Sequence, residues 1–301
     1  MKDLGKTTYC LGLQLEHTPE GILVHQSNYT RKVLERFNMK DAYPLNTSMV
    51  VRSLDVKKDP FRPKEEDEEL LGAEYPYLSA IGALMYLANG TRPDIAFVVN
   101  LLARYSAAPT KRHCNGIKQI LRYLRGTKDL GLFFKKKGDM TIVGYADAGY
   151  LSDTHKSILQ TGYVFLNGGT AISWKSTKQS IVATSTNYSE IVALFEAAKE
   201  CTWLRRISKH ILNACGMIVA PTLTIIYEDN RACVAQIQSG YIKSNVMKNI
   251  SPKFFSTHEM QMNGEILVTH IKSCENLPDM FTKALPACTF ENAGMVLVRG
   301  D

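Results

Sequence analysis

Two different rhythms of apolar and polar residues divide this chain. Residues 9–16 alternate, Thr18-Pro19-Glu20-Gly21 supplies turn formers, and Ile22-Leu23-Val24-His25-Gln26 returns, which predicts a hairpin. Ser27-Asn28-Tyr29-Thr30 then offers caps for an amphipathic helix reaching Phe37, with Val33, Leu34 and Phe37 on one face. Three further helical periods run from Tyr77 to Leu87, Asp94 to Tyr105 and Arg112 to Leu124. Pro93 suits a first helical turn, and Gly126-Thr127-Lys128 ends the last helix. Residues 52–70 are charged and proline-containing; that composition buries little apolar surface and predicts a mobile connector.

From about residue 140 the period shortens. Strand-like runs occupy 141–147, 162–167 and 171–175, and Gly168-Gly169 separates the last two as a hairpin turn would. A helix is predicted over 187–212, with Ile191, Leu194, Phe195, Ala198 and Trp203 on one side. A strand (223–229), a helix (232–238), a helix (252–262), a strand (265–272) and a last helix (279–285) follow. Three strands, then alternating helices and strands, predict one α/β domain with a five-stranded mixed sheet and flanking helices.

Composition narrows the function classes. At 301 residues the chain has room for two domains, and no apolar run is long enough to span a bilayer. The first residues lack a signal-peptide core, and seven scattered cysteines form no C-x-x-C pair, so an intracellular setting, cytoplasmic or nuclear rather than secreted, is expected. The formal charge of +7 is uneven: residues 1–139 carry 22 Lys and Arg against 16 Asp and Glu. Lys111, Arg112, Lys118, Arg122, Arg125 and Lys128 line the third helix and its exit. They are either a face that follows a phosphate backbone or an ordinary solvated helix face.

Against that background four acids stand out. Asp147 closes one strand run, Glu190 lies in the first turns of the long helix, Asp229 ends another strand, and Asp279 starts the last helix. Each alone fits a turn former or a cap. Four carboxylates converging in a basic chain are what two-metal phosphodiester cleavage requires.

The order Gly144-Tyr145-Ala146-Asp147-Ala148, Lys156-Ser157, Thr161-Gly162-Tyr163-Val164-Phe165 and Ile172-Ser173-Trp174-Lys175-Ser176-Thr177-Lys178-Gln179-Ser180 resembles the ribonuclease H domain of copia-type LTR retrotransposon polyproteins. Ser189-Glu190-Ile191-Val192-Ala193-Leu194, Tyr227-Glu228-Asp229-Asn230 and Pro278-Asp279-Met280-Phe281-Thr282-Lys283 continue the likeness. Met1-Lys2-Asp3-Leu4-Gly5, Thr91-Arg92-Pro93-Asp94-Ile95 and Ile120-Leu121-Arg122-Tyr123-Leu124-Arg125-Gly126-Thr127 resemble the end of the same element's reverse transcriptase.

The resemblance implies a ribonuclease H-like α/β domain at 138–290. Before it come a palm-edge hairpin and helix (1–51), the connector (52–70) and a mainly helical thumb or connection region (71–136); a tail (291–301) follows. It implies two Mg²⁺ ions held by Asp147, Glu190, Asp229 and Asp279, and endonucleolytic cleavage of the RNA strand of an RNA–DNA hybrid. Ser176, Lys178, Gln179, Asn230, Arg122 and Arg125 become candidate contacts to that hybrid, a loop role being equally open for the first four. The implied partners are the hybrid and the rest of the Pol polyprotein.

The chain departs from the family in places. No Tyr-x-Asp-Asp occurs, so DNA synthesis is not expected; Asp147-Ala148-Gly149 stands where Asp-Ala-Asp is usual, Lys248-Asn249-Ile250 where Lys-His-Ile is, and Pro278 precedes Asp279. The alternative is therefore a catalytically dead, nucleic-acid-binding remnant of a decayed element. A transposase or integrase on the same fold ranks third, since those sites use three acids.

Overall fold

The computed structural model describes residues 5–51, 59–72, 74–137, 141–153, 158–181, 185–217, 223–242 and 250–300. Contacts divide the chain into two compact units, one of residues 1–139, 168–171 and 284–301, the other of 140–167 and 172–283.

In the first unit, the expected hairpin is β2 (Leu13–His17) with β3 (Gly21–His25), and the start of its first arm breaks off as a separate short strand, β1 (Tyr9–Cys10), antiparallel to β2. Burial alternates along β3, with Gly21, Leu23 and His25 inside, as a half-buried strand requires. Helix α1 (Ser27–Arg36) buries Val33 and Leu34. Next come α2 (Tyr77–Gly90), a 3₁₀ turn over Pro93–Ile95, α3 (Ala96–Ala103) and α4 (Lys111–Gly126). A fourth strand, β4 (Gly131–Lys135), pairs antiparallel with β3, from His25 opposite Gly131 to Gly21 opposite Lys135. The periodicity did not anticipate it. Five residues rarely declare a strand alone, and its partner lies more than a hundred residues away.

The motif around Arg92 is structural. Arg92 and Asp94 are both fully buried; Arg92 Nη2 lies 2.6 Å from Asp94 Oδ2, and Tyr123 Oη donates to the same oxygen at 2.7 Å. Arg92 also donates to the Thr127 carbonyl and hydroxyl, each at 2.7 Å. This network ties the start of α3 to the end of α4.

Two expectations change here. Residues 52–58 of the connector lie outside the described residues, but 59–70 are packed: Asp59 and Phe61 are buried, and Arg112 pairs with Glu68. The charges there neutralise one another around an apolar anchor, which composition alone does not reveal. The expected tail is also ordered: α9 (Ala287–Leu297) buries Phe290 and Leu297, and Phe290 meets Tyr123 edge to face.

The second unit holds β5 (Ile142–Asp153), β6 (Ile158–Asn167), β7 (Thr170–Lys178), α5 (Thr186–Ala214), β8 (Thr224–Glu228), α6 (Arg231–Ser239), α7 (Ser251–Met262), β9 (Ile266–His270) and α8 (Asp279–Thr282). The sheet order is β7-β6-β5-β8-β9; β6 runs antiparallel to β5, whereas β8 and β9 run parallel to it. This is the ribonuclease H-like five-stranded mixed sheet. Gly168 and Gly169, at φ 58° and 81°, make the β6–β7 turn, where two left-handed residues match the strand twist.

Just before its first residue, helix α5 is capped by Ser185, whose hydroxyl accepts from the Tyr188 N–H. It packs Ile191, Leu194, Ala197, Ala198, Cys201 and Leu204 against Ala146, Phe165 and Ile226 in the core. A fully buried Leu or Ile of this kind stabilises by roughly 1.5–3 kcal/mol. Trp203, expected on the buried side, is 54% exposed although its neighbour Leu204 is buried: at about 100° per residue it falls well round the helix from Ile191 and Leu194, on the outer face. All seven cysteines are free, and no described helix is long and apolar enough to cross a membrane.

Candidate metal centre

The register of the central strands sets the site. Tyr145 lies opposite Tyr227 in the parallel β5–β8 pair, so two residues further on Asp147 and Asp229 reach the same level. Asp147 is interior to β5 and 1% exposed, while Asp229 is the first residue beyond β8. Helix α8 brings Asp279 to them: carboxylate oxygens of Asp147, Asp229 and Asp279 lie within 4.8 Å of one another.

Two glycines let α8 approach. A Cβ on Gly149 would fall 2.5 Å from the Thr282 carbonyl oxygen, and one on Gly162 would fall 2.6 Å from Thr282 Cγ2 and 2.9 Å from Phe281 Cβ. Gly149 is the position where an acid is usual in the resembled family; here only a residue without a side chain fits beneath α8. Pro278 sits at φ −62° just before the helix, within the range its ring demands, and leaves Asp279 in the cluster.

Glu190 arrives from the second turn of α5. Its Oε2 accepts from the Ala148 N–H at 2.7 Å, which fixes it beside the strand that carries Asp147. Its carboxylate forms a second group with Glu228 and Asp229, again with oxygens within 4.8 Å of one another. Asp229 is common to both groups, so the four predicted acids fall into two overlapping clusters rather than one point.

Periodicity and motif reading passed over three participants. Glu228, fully buried at the end of β8, accepts from the Asn230 N–H through Oε1, and its Oε2 has no hydrogen-bond partner among the described residues. Lys283 Nζ lies 2.6 Å from Asp279 Oδ1 and 3.3 Å from Asp147 Oδ1. The Thr282 hydroxyl donates to Asp147 Oδ2. The signals were present: a glutamate on the inward phase of an apolar strand, and a lysine four residues after an acid. Neither becomes legible until the strands pair.

The softer candidates are engaged locally. The Ser176 hydroxyl donates to the Phe281 carbonyl at 2.6 Å, tying β7 to α8. Buried Gln179 donates to the Thr161 hydroxyl and the Ser189 carbonyl, both at 3.0 Å. Asn230 caps α6 by accepting from the Cys233 N–H at 3.0 Å. Lys178 ends β7 and is half-buried. Arg122 and Arg125 belong to the first unit, where each donates to a main-chain carbonyl, of Tyr43 at 2.8 Å and of Lys40 at 2.5 Å.

Electrostatics follow from packing acids together. Two like charges at such separations repel by roughly 3–4 kcal/mol at an effective dielectric of about 20. Burial, with the Asp279 and Asp229 charges, pushes Asp147 up to about 6 against the pull of Lys283 and Thr282. Burial and the neighbouring Glu228 and Asp147 charges raise Glu190 well above the ordinary carboxylate range, and burial with Asp147 does the same to Glu228. Asp279 is raised by burial, with Lys283 opposing. Burial would lower Lys283, but Asp147 and Asp279 outweigh it and hold the ammonium above its usual value.

The donor set fits hard divalent cations. Every ligand atom is a carboxylate oxygen, Glu228 presents a buried oxygen with no hydrogen-bond partner among the described residues, and Lys283 already stands as a positive charge between Asp147 and Asp279.

No protein-family model matches the chain. It is 36% identical over 293 residues, 97% of its length, to the retrovirus-related Pol polyprotein from transposon TNT 1-94 of Nicotiana tabacum, of which it covers 21%. It is 31% identical over 207 residues to an uncharacterized mitochondrial protein of Arabidopsis thaliana, covering 80% of that protein. Among solved structures, a ribonuclease H1 isolated from compost by a metagenomic approach overlays 48% of this chain and 93% of its own, at 19% identity and a TM-score of 0.35. The chain spans about a fifth of the length of the polyproteins it matches. With likeness to those polyproteins running over nearly its full length, the chain belongs to the copia-type LTR retrotransposon Pol family.

Proposed function

We propose that the second unit is a Mg²⁺-dependent ribonuclease H that cuts the RNA strand of an RNA–DNA hybrid endonucleolytically. The observation that carries this reading is the pair of acid groups sharing Asp229 at the end of β8, on a sheet of ribonuclease H-like order. Asp147, Asp229 and Asp279 would hold one cation and Glu190 with Asp229 a second, which supplies the family's two-metal requirement. Bound there, the cations would activate the attacking water and stabilise the leaving oxygen.

The chain's own residues have definable tasks. The Ala148 N–H orients Glu190, the Thr282 hydroxyl and Lys283 orient Asp147, and Ser176 anchors the helix α8 that presents Asp279. Rigid anchoring matters because misplacement by about 1 Å can cost about a hundredfold in rate. Lys178 and the neighbouring polar side chains of β7 are proposed to meet the hybrid backbone, with recognition by duplex shape and 2′-hydroxyls. The copia-type polyproteins' polymerase function is not assigned to this chain, which contains no Tyr-x-Asp-Asp.

The test is cleavage of a labelled RNA–DNA hybrid by the purified chain in Mg²⁺, beside Asp229→Asn. Cleavage by the parent, lost in the variant and in EDTA, supports the reading. Binding of the hybrid without cleavage by either protein would replace it with the catalytically dead remnant.

A further inference from the structure

We propose that Glu228 is a fifth carboxylate ligand that completes, with Glu190 and Asp229, the second divalent-cation position. This inference rests on the cation-binding reading of the site and sharpens it.

The strand phase makes Glu228 anomalous. Along β8 burial alternates, with Thr224, Ile226 and Glu228 inside, so Glu228 occupies a position where the sheet would ordinarily bury an apolar side chain. It is 0% exposed. One oxygen is held by the Asn230 N–H at 3.1 Å, which leaves the other, Oε2, buried without a hydrogen-bond partner among the described residues. A buried acceptor left unpaired costs on the order of 1–3 kcal/mol, and more if charged. Its carboxylate also lies within 4.8 Å of those of Glu190 and Asp229. Lys283 gives no ion pair to this group; its two contacts go to Asp147 and Asp279. A cluster with three acids, an orphaned oxygen and, among the described residues, no paired cation of its own is built for an external positive charge. All-oxygen donors select a hard ion, Mg²⁺ or Mn²⁺, over zinc or copper.

Calorimetric titration of the metal-free full chain with MgCl₂ and with MnCl₂ tests this, using Glu228→Gln, Glu228→Asp and Asp279→Asn beside the parent. Two ions are expected for the parent. Glu228→Gln should keep one and weaken the other by at least about tenfold; Glu228→Asp, which keeps the charge, should fall between. Glu228→Gln should also melt higher than the parent in EDTA and gain less from MgCl₂. Circular dichroism of each variant confirms that the unit is folded, and Glu228→Asp carries the comparison if Glu228→Gln is not. Parent-like binding of both ions by Glu228→Gln overturns the role of Glu228 while leaving the ribonuclease H reading intact. No cation uptake by the parent overturns both.

Discussion

Lys283 Nζ lies 2.6 Å from Asp279 Oδ1, four residues along the chain from it, and reaches Asp147 Oδ1 at 3.3 Å. The ammonium thus stands between two acids that a divalent cation would also bridge. It lowers the repulsion between these acids, and a cation bound as proposed would have to compete with it for the same oxygens.

Lys283→Met should therefore have opposite effects on the two states. Without metal the variant loses about 1 kcal/mol of stability, discounted for the side chain's partial exposure. With metal, the Asp147–Asp279 position binds its cation more tightly, because no lysine has to be displaced. Urea unfolding in EDTA and calorimetry with MgCl₂ measure the two effects; a variant less stable and also weaker in binding would show that Lys283 assists the cation.

The pH dependence has a definite sign. Asp147 is raised to about 6 by burial, and Glu190 and Glu228 are raised further from their ordinary range. The folded state thus holds these protons more tightly than the unfolded chain. Their contribution to stability is complete below the unfolded carboxylate range and is lost as pH rises through about 6 for Asp147. In EDTA the melting temperature should fall between pH 5 and pH 8 with a slope that Asp147→Asn reduces. Added MgCl₂ should stabilise more at pH 8 than at pH 5, since protons no longer compete for the ligands. Parallel melting curves for parent and Asp147→Asn across this range would contradict the assignment.

Gly149→Ala tests how α8 is held. Its Cβ would meet the Thr282 carbonyl oxygen at 2.5 Å, so the helix carrying Asp279 must move. Overpacking of this kind costs about 1–3 kcal/mol. The displacement should lower hybrid cleavage by on the order of a hundredfold. Hybrid binding should change far less. Unaltered cleavage would mean that α8 tolerates displacement.

The Arg92–Asp94 pair predicts a purely structural effect. Asp94→Ala leaves a buried guanidinium and the Tyr123 hydroxyl without their acceptor, at a cost of about 3–5 kcal/mol. The loss should be the same in EDTA and in MgCl₂, because these residues belong to the first unit and the acid groups to the second. A metal-dependent loss would be inconsistent with that separation.

Local pattern carried much of the second unit. The period change near residue 140, the Gly168-Gly169 turn and the alternation of helices and strands specified a five-stranded mixed sheet, because strand and turn formation depend on near neighbours. Asp147, Glu190, Asp229 and Asp279 were nameable from their order along the chain and from the family resemblance. What hid β4 was range: it pairs with β3 across most of the first unit, and a strand recruited by a distant edge needs no strong local signal. Packing hid the order of α9 and of residues 59–70: Phe61 buries apolar surface inside a charge-rich stretch, and Phe290 finds its partner Tyr123 far back along the chain.

Which acids are available, and on which kinds of element they ride, can be read along the chain, since both are properties of residue type and local period. How they group follows from folding alone. The parallel register of β5 and β8 levels Asp147 with Asp229, and the bare Cα of Gly149 admits α8 with Asp279. The inward phase at the end of β8 adds Glu228, and Lys283 closes the first group with a positive charge. Distances of a few ångströms between charges depend on contacts far apart in the chain, and no local pattern encodes them.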